Sequence, residues 1–487
     1  MRTRATLGPA IAVPILAVVA VFVSGCMWGV VRDAGTGAGI EGATVQYVDS
    51  QGNTGSTTTT AFGLYFFNAS IGFPAIGPAQ LNVSAPGYAT LSTTRPILYD
   101  DNPNATLADL STFWEVQSFD LATGTGAGII SSLASGLHFP VGAVYDGDGN
   151  LYVSERDTCS IRRISRSGHI ATIAGDGTCG FSGDGGDATD AELSAPSGLA
   201  IAPNGDIVVA ENGDCRVRRI DMATGTISTV AGNGTCGFSG DGGDATLAQL
   251  GLADAAVPST FVWSDVAFDS AGNLYVADIF NCRIREVVGG TISTIAGSGP
   301  TGFTCGEFSG DGGPATSARL NQPSGVAVNA DGEVFIGELG GCRVRKVSRT
   351  RSHTIETIAG GSVCASSGNG GSAVSAGLAN VRGLALDADG NVYISQFRFN
   401  SSNPMQMLDC EVRRIDDSDG KIRRVAGNGV CGFSGDDGAA ISAQIDVPGG
   451  LALACNGDIA VTDAVDGRAR VVKDVNDGGP APGDVCP

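Results

Sequence analysis

Histidine, tryptophan and positive charge are scarce in this sequence. Its 487 residues include 3 His, 3 Trp and 5 Met, and 29 Lys and Arg stand against 50 Asp and Glu. The net charge of −21 argues against nucleic acid as a partner, because an acidic surface repels phosphate instead of displacing its counterions. Of the three histidines, His138 and His169 fall near the ends of expected strands and His353 in a connection between two strands, so no shared metal site is evident.

Glycine, by contrast, is abundant at 74 residues, and it marks an internal repeat. One unit, residues 196–232, reads PSGLAIAPNGDIVVAENGDCRVRRIDMATGTISTVAG, which is four short β-rich runs separated by turn residues. The glycine of the first tight turn recurs at positions 149, 205, 272, 332, 390 and 457. Six such units predict an all-β fold, a six-bladed β-propeller.

A propeller must close its ring, and the two ends of the repeat region indicate how. The sixth unit has three strands, within residues 451–472, and no fourth one. Residues 128–135, GIISSLAS, precede the first unit and are similar to the fourth strands of the others. We therefore expect this segment to complete the last blade, so that the propeller spans residues 127–475 and residues 476–487 form a tail.

Two stretches of sequence resemble known families. The tracts TIAGDGTCGFSGDGGDATDAEL and STIAGSGPTGFTCGEFSGDGGPATSARL are similar to NHL repeats of the teneurin-like group. That resemblance implies a platform for interactions, since only a few NHL families are enzymes. Residues 26–122, with GVVRDAGTGAGIEGATVQYVDSQGNTGSTTTTAFGLYFF, resemble the carboxypeptidase regulatory-like domain. This implies a small transthyretin-like β-sandwich without catalytic residues.

Residues 1–25 have the features of an export signal. Arg2 and Arg4 precede an apolar run that ends in Val-Ser-Gly-Cys26, which resembles a bacterial lipobox with Val in place of the usual Leu. The resemblance implies cleavage before Cys26, lipidation of its thiol and, with Met27 in place of Asp, sorting to the outer membrane. We expect a monomer in the cell envelope that contacts the membrane through its lipid only. An ordinary secretory signal is the alternative.

Thirteen cysteines in an exported chain indicate disulfides, and assigning Cys26 to the lipid leaves an even twelve. Five repeats carry one Cys at the start of the third strand and one after the fourth, places that are neighbours in an antiparallel blade. The expected pairs are Cys159 with Cys179, Cys215 with Cys236, Cys282 with Cys305, Cys342 with Cys364, Cys410 with Cys431, and, tying down the tail, Cys455 with Cys486. Zinc is the rival interpretation, disfavoured because no CxxC or accompanying His occurs.

Acidic residues recur at two places in the repeat. The second strand ends on Glu155, Glu211, Asp278, Glu338, Gln396 and Asp463. This ring either attracts cations or serves locally, bonding loop amides and facing the Arg-rich third strand. The SGDGG loops hold Asp184, Asp241 and Asp311, with Asp436 and Asn369 as weaker copies. Calcium is one interpretation of these loops; a structural turn followed by a helix cap is the other. We expect no cofactor, with calcium left open.

The inner strands offer little chemistry. Their equivalent positions are Gly142, Gly198, Asp265, Gly325, Gly383 and Gly450, with Arg382 nearby. No nucleophile–base pair can be named, so we assign no catalytic, cofactor-binding or metal-binding residue and consider an enzyme the weaker hypothesis. A lyase or hydrolase acting at the mouth of the central channel is the alternative function.

Two insertions interrupt the repeat on one face. The fifth unit adds FRFNSSNPMQMLD after Gln396, and the connection between units two and three is extended and ends near Trp263. We hypothesise that this face binds a protein or glycan partner, since loops on a rigid scaffold commonly carry binding. The candidate contact residues are Phe397, Phe399, Met405, Met407 and Trp263. The alternative is that the insertions pack on their own blades.

Overall fold

The computed structural model separates the chain into two compact units, residues 1–127 and 128–487. In the first unit it describes seven strands within 26–121. In the second it describes residues 128–253, 262–299, 305–306, 308–349, 353–361, 363–400 and 403–473. No helix in this described part is long and apolar enough to cross a membrane.

The first unit is the β-sandwich that its sequence predicts. Its strands are β1 (Cys26–Asp33), β2 (Thr44–Val48), β3 (Thr54–Thr58), β4 (Leu64–Asn68), β5 (Gly77–Ser84), β6 (Leu91–Ile97) and β7 (Ser118–Leu121). They form two sheets, in the orders β4-β1-β7 and β3-β2-β5-β6. All pairings are antiparallel except that of β1 with β7.

The second unit is the six-bladed propeller. Blade 1 consists of β9 to β12 (Pro140–Tyr145, Leu151–Glu155, Ser160–Ile164, Ile170–Ala174) and blade 2 of β13 to β16 (Pro196–Ile201, Ile207–Glu211, Arg216–Ile220, Ile227–Ala231). Blade 3 consists of β18 to β21 (Val266–Phe268, Leu274–Asp278, Arg283–Val288, Thr291–Ala296) and blade 4 of β22 to β25 (Pro323–Val328, Val334–Glu338, Arg343–Val347, Ile355–Ala359). Blade 5 consists of β26 to β29 (Asn380–Leu386, Val392–Asn400, Asn403–Ile415, Ile422–Val430). Each blade is an antiparallel meander, so its innermost strand begins at the face where the second strand ends and the third begins. We call this the disulfide face.

The ring closes as the sequence predicts. Blade 6 contains β31 (Pro448–Leu453), β32 (Ile459–Asp463) and β33 (Arg468–Lys473), and its outermost strand is β8 (Ile129–Ser135) from the other end of the propeller. The register pairs Lys473 with Ile129 and Arg468 with Ser135. The N-terminal segment therefore latches the last blade, and closure leaves only short strand edges.

Each connection between blades continues onto the next blade. The segments at β17 (Gly243–Asp244) and β30 (Gly438–Ala439) pair with the outermost strands of blades 3 and 6, and single bridges do the same in blades 2, 4 and 5. A short 3-10 helix follows in all five connections: Ala188–Asp190, Ala245–Leu247, Ala315–Ser317, Ala373–Ser375 and Ala440–Ser442. A sixth 3-10 turn, Ile279–Asn281, lies inside blade 3.

The core lies between blades. Apolar residues of neighbouring sheets pack face to face, as Val208 of blade 2 does in one cluster with Val276 of blade 3. Burial of this kind stabilises by roughly 25 cal/mol per Å² of apolar surface. The blades are thus fixed relative to one another, which makes the disulfide face a rigid base for inserted loops.

Candidate functional site

Disulfides staple one face of the propeller. The structure joins each of the five pairs expected within a repeat, 20 to 23 residues apart, with Cα–Cα distances of 5.1 to 5.6 Å. Cys455 is also disulfide-bonded, while Cys486, its expected partner, lies outside the described residues. Cys26 opens β1, but its side chain is likewise not described.

The first cysteine of four pairs has a left-handed backbone, which non-glycine residues rarely adopt. Cys215, for example, has φ of 55° and Cys282 has φ of 57°. In blade 6, which has no cysteine there, Gly467 occupies the same position with φ of 61°. The glycine that replaces the cysteine therefore preserves the backbone conformation at the start of the third strand.

A fully buried arginine sits on the third strand of every blade from 2 to 6. These inter-blade arginines are Arg218, Arg285, Arg345, Arg413 and Arg470. Arg218 shows the arrangement: it contacts Asp184 at 2.8 Å and Glu211 at 3.4 Å, and it donates to the carbonyl oxygen of Ser182. Asp184 and Ser182 belong to the SGDGG loop that leaves blade 1, whereas Glu211 ends the second strand of blade 2. The arginine thus connects two blades.

The same contacts recur in blades 3, 4 and 6. The loop aspartates lie 2.7 Å from Arg285, 2.5 Å from Arg345 and 2.7 Å from Arg470. The acids at the strand ends lie 3.1, 3.6 and 3.7 Å from the same arginines. For the strand-end acids this is the local interpretation, in which they face the Arg-rich third strand. For the loop aspartates neither interpretation foresaw it: they bind arginine, while the expected helix caps are Asp187 and Asp244.

In blades 2, 3, 4 and 6, a phenylalanine of the preceding loop stacks on a second arginine, which stands two residues before the inter-blade arginine. The guanidinium of Arg216 lies 3.6 Å from the centre of the Phe181 ring, and that of Arg283 lies 4.1 Å from Phe238. Phe308 and Phe433 stack likewise in blades 4 and 6. These rings are 37 to 39% exposed, and cation–π contacts at exposed sites contribute about 0.5–1 kcal/mol. The Phe-Ser-Gly-Asp loop therefore joins neighbouring blades: its aspartate binds the buried arginine of the next blade, and its phenylalanine stacks on the arginine two residues earlier.

Blade 5 departs from the motif in several places at once. Its loop has Ser366 where the others have Phe, and Gln396 replaces the acid at the strand end. The acid is supplied by Glu411 of the third strand, whose carboxylate accepts from Gln396 and lies 3.9 Å from Arg413. The buried positive charge thus keeps a counter-charge from a different residue.

Blade 1 carries the equivalent arginine without the loop. Arg162 is 31% exposed and approaches Glu155 only to 4.0 Å. The connection that precedes blade 1 runs directly from β8, and none of its described residues supplies an aspartate to Arg162. Blade 1 is consequently the blade in which this arginine position is least buried.

The central channel encloses a cavity of about 280 Å³ lined by the six innermost strands. Asp265 is the carboxylate among the six equivalent inner positions, and its side chain spans neighbouring blades. Its Oδ1 accepts from the backbone of Val266, its Oδ2 accepts from Val326 at 3.4 Å, and a Cβ on Gly198 would lie 2.5 Å from Oδ1. Burial raises the pKa of Asp265 to about 7, and these backbone donors oppose that shift.

The channel is apolar at the opposite face. There the inner strands end on six half-buried side chains: Tyr145, Ile201, Phe268, Val328, Leu386 and Leu453. Burial, followed by the charge of Asp458, raises the pKa of Tyr145, so this phenol stays protonated. The cavity therefore changes from apolar at one mouth to charged near the disulfide face.

Trp263 closes the channel toward the disulfide face. Its ring centroid is 6.3 Å from that of Phe139 in blade 1 and 6.2 Å from that of Phe397 in blade 5. Arg382 stacks on an aromatic ring from each of the two insertions. Its guanidinium lies 4.4 Å from the centre of the Phe397 ring and 5.3 Å from that of Trp263. Burial lowers the pKa of Arg382 to about 9. The two insertions therefore meet across the channel.

This packing changes the interpretation of the candidate contact residues. Trp263 is 6% exposed and Phe397 is fully buried, so they form a plug and do not present a surface. Met407 packs against the same cluster, whereas the side chain of Met405 lies outside the described residues. Phe399 is 36% exposed. The alternative, in which each insertion packs on its own blade, is also inexact, because the apolar cluster around Trp263 and Phe397 contains residues of blades 1, 3, 5 and 6.

The blade 5 insertion forms a raised hairpin, which we call the arm (residues 397–409). Strands β27 and β28 extend past the disulfide face and pair from Arg398 with Leu408 to Asn400 with Asn403. Strand β29 adds a third strand, with Val430 opposite Leu408. Phe397 and the Cys410–Cys431 bond fix the base of the arm, and Phe399 of the arm and Val430 of the adjoining β29 are exposed.

Among the described residues, no group of three or more His, Cys, Asp or Glu is placed to hold a metal ion. The three histidines do not meet. His138 precedes β9, where its backbone N–H donates to Glu155, whereas His169 and His353 lie in turns between third and fourth strands.

Comparison with known proteins agrees with the two units. A family model described as the teneurin NHL domain matches residues 126–221 and 244–348, and one described as the carboxypeptidase regulatory-like domain matches residues 27–109. Teneurin-1 of Mus musculus is 28% identical over 242 residues, which cover 45% of this chain but 8% of the teneurin. Protein SUPPRESSOR OF QUENCHING 1 of Arabidopsis thaliana is 27% identical over 320 residues, 63% of this chain and 27% of that protein.

Two solved structures are similar to the chain at low identity. An auxiliary nutrient binding protein of Bacteroides thetaiotaomicron has a TM-score of 0.49 and 11% identity, covering 88% of this chain and 90% of the other. A streptogramin B lyase has a TM-score of 0.42 and 13% identity, covering 71% and 98%.

Proposed function

Because this chain joins a carboxypeptidase regulatory-like domain to a six-bladed NHL propeller of the teneurin type, we propose that it is an exported binding protein. The propeller is a rigid scaffold, and its arm holds a protein or glycan partner. The observation that carries this proposal is the arm itself, which with β29 forms a three-stranded extension with a buried base and with Phe399 and Val430 exposed. The described residues of the arm are already paired in a sheet, which reduces the entropy lost on association.

The chemistry of the arm suits a partner with mixed polarity. Phe399 and Val430 offer apolar surface, and Asn400 with Gln406 offers amide donors and acceptors beside it. Arg398 is bound by Asp409 at 2.5 Å, so it stiffens the hairpin. Aromatic and amide side chains together form the contact surface of many binding sites.

Paired surface variants test this function. Phe399→Ser with Val430→Ser removes the apolar surface of the arm and leaves the buried base intact. Leu247→Ser with Val288→Ser removes two equally apolar residues, 71% and 48% exposed, on other blades. The arm variant should lose binding to a glycan array or to an envelope extract, and the control should keep it. Equal binding by both variants would contradict the proposal.

We also propose that the chain is anchored through a lipid on Cys26 and that its lipid is its only membrane contact. The lipobox-like Val-Ser-Gly-Cys sequence supports this. In a bacterial host, Cys26→Ala should move the protein from the membrane fraction to the soluble fraction. Retention of the variant in the membrane fraction would exclude the lipid as the anchor.

The fold, we propose, does not depend on calcium. The loop carboxylates that could bind the ion, such as Asp184, Asp241 and Asp311, already bind arginine. Addition of calcium or of a chelator should leave the melting temperature unchanged. A calcium-dependent rise would restore the calcium interpretation.

A lyase or hydrolase is the second candidate, favoured by one observation. A carboxylate whose pKa is raised to about 7, as that of Asp265 is, suits a general base near neutral pH. Trp263 closes the nearby mouth, so a substrate would enter from the opposite face. Turnover that Asp265→Asn abolishes would support this candidate.

A further inference from the structure

Asp265 breaks the six-fold pattern of the propeller on the wall of the central channel. The five equivalent positions are glycine. The buried acids that end the second strands of blades 2, 3, 4 and 6 each have an arginine within 3.1 to 3.7 Å. Among the described residues no ion pair includes Asp265, and the bonds it accepts come from two backbone amides. Asp265 is half-buried on the wall of a cavity and has no counter-charge among the described residues, so a positively charged ligand would supply one.

The surroundings of Asp265 define the chemistry of that ligand. The carboxylate lies between inner strands of blades 2 and 4 and faces the cavity of about 280 Å³. The indole of Trp263 closes the same end, and the six apolar side chains from Tyr145 to Leu453 surround the open end. An anion, an aromatic ring and an apolar passage together suit a positive charge on a short hydrocarbon body.

We propose that the channel is a binding site for a small organic cation, in which Asp265 binds an ammonium group and the apolar passage holds its hydrocarbon part. The ligand enters at the face opposite the disulfides, because Trp263 closes the other. The site is separate from the arm and does not depend on what the arm binds.

Arg382 shapes the selectivity of this site. It is the other charged group in the cavity wall, and it stacks on Phe397 and Trp263 on the side of the plug. It repels a second positive charge, so the site should prefer a monocation to a diamine.

Binding of n-butylammonium, measured by calorimetry or ligand-observed NMR on the full chain, tests the proposal. Wild type should bind it in preference to n-butanol and butanoate, which match it in size but lack the positive charge. Asp265→Asn and Asp265→Gly, the second restoring the residue of the other blades, should each weaken binding at least tenfold. Asp190→Asn, an equal change of charge on an exposed 3-10 helix, should have no effect.

The pH dependence provides a second readout. With a pKa of about 7 for Asp265, apparent affinity should fall about tenfold from pH 8 to pH 6, as the carboxylate becomes protonated. Two results would overturn the proposal: undiminished binding by both Asp265 variants, which indicates adsorption to the acidic surface, or equal binding of butanol. Absence of any binding by folded wild type would overturn it as well.

Discussion

Asp184 binds Arg218 at 2.8 Å, and this contact joins the loop that leaves blade 1 to the third strand of blade 2. The arginine is fully buried, while the aspartate side chain is 34% exposed. Glu211 approaches the same arginine from within blade 2, and desolvation raises the pKa of Glu211 while Arg218 opposes that rise. Neighbouring blades are thus connected by charge as well as by apolar packing.

Replacing Arg218 should destabilise the propeller strongly. Arg218→Met leaves Glu211 buried without its counter-charge, and breaking a buried pair in this way costs about 3–5 kcal/mol. Arg162→Met is the matched control, because Arg162 occupies the same position in blade 1 but is 31% exposed. Its cost should stay below about 1 kcal/mol. Denaturant unfolding of both variants would measure the difference, and equal losses would contradict the role of the loop.

The disulfide positions allow a backbone prediction. With Cys236→Ser in both proteins, Cys215→Gly should be more stable than Cys215→Ala by about 1 kcal/mol, because φ of 55° suits glycine. Gly467 of blade 6 already shows this solution. Relative to wild type, both variants should lose about 3 kcal/mol from the missing cross-link. Thermal melts of the two variants measure which is more stable. A higher stability of Cys215→Ala would contradict the requirement for a left-handed backbone at this position.

The scaffold was largely predictable from sequence, for a physical reason. Short-range patterns determine where strands begin and where the chain turns. The tight turn that sets this pattern occurs six times, as Gly-Asn or Gly-Asp in five units and as Gly-Glu in the fourth. The latch by residues 129–135 was predictable too, because the missing fourth strand leaves one place for a similar segment. The Arg-rich third strand was one interpretation of what the strand-end acids face, but the contact of its arginine with the loop aspartate of the preceding blade was not predicted. A signal for it exists: the arginine always stands three residues after the cysteine position.

Asp265 should make stability depend on pH. Its pKa rises from 3.8 to about 7 on folding, so between these values the folded chain holds a proton that the unfolded chain has released. The free energy of unfolding therefore falls as pH increases through this window, by at most about 1.4 kcal/mol per pH unit. Asp265→Asn should remove this slope and be more stable than wild type at pH 8. An unchanged slope would show that Asp265 does not titrate in this window.

The plug and the arm should respond differently to mutation. Trp263→Ala removes a buried ring that contacts three other blades and should cost about 3–5 kcal/mol. Phe399→Ala changes a side chain that is 36% exposed and should cost under about 1 kcal/mol while reducing partner binding. Denaturant unfolding and partner capture measured on the same samples would separate the two roles. A large stability loss in Phe399→Ala would assign it to the plug.

The meeting of the two insertions was beyond sequence reasoning. Trp263 and Phe397 are separated by more than two blades along the chain, and neither lies in a periodic segment that would predict its partner. The insertions themselves were visible as departures from the repeat, and so was Asp265 among glycines. The sequence did not reveal that Trp263 and Phe397 are buried, and their burial makes them a plug of the channel and not a contact surface.

Photo-crosslinking from the arm tests the central claim most directly. A benzophenone side chain placed at Phe399 should capture a defined protein or glycan from an envelope extract, and the same group at Leu247, which is 71% exposed on another blade, should not. Capture of one species at position 399 alone is the predicted result. The same products at both positions, or none at position 399, would contradict a binding role for the arm.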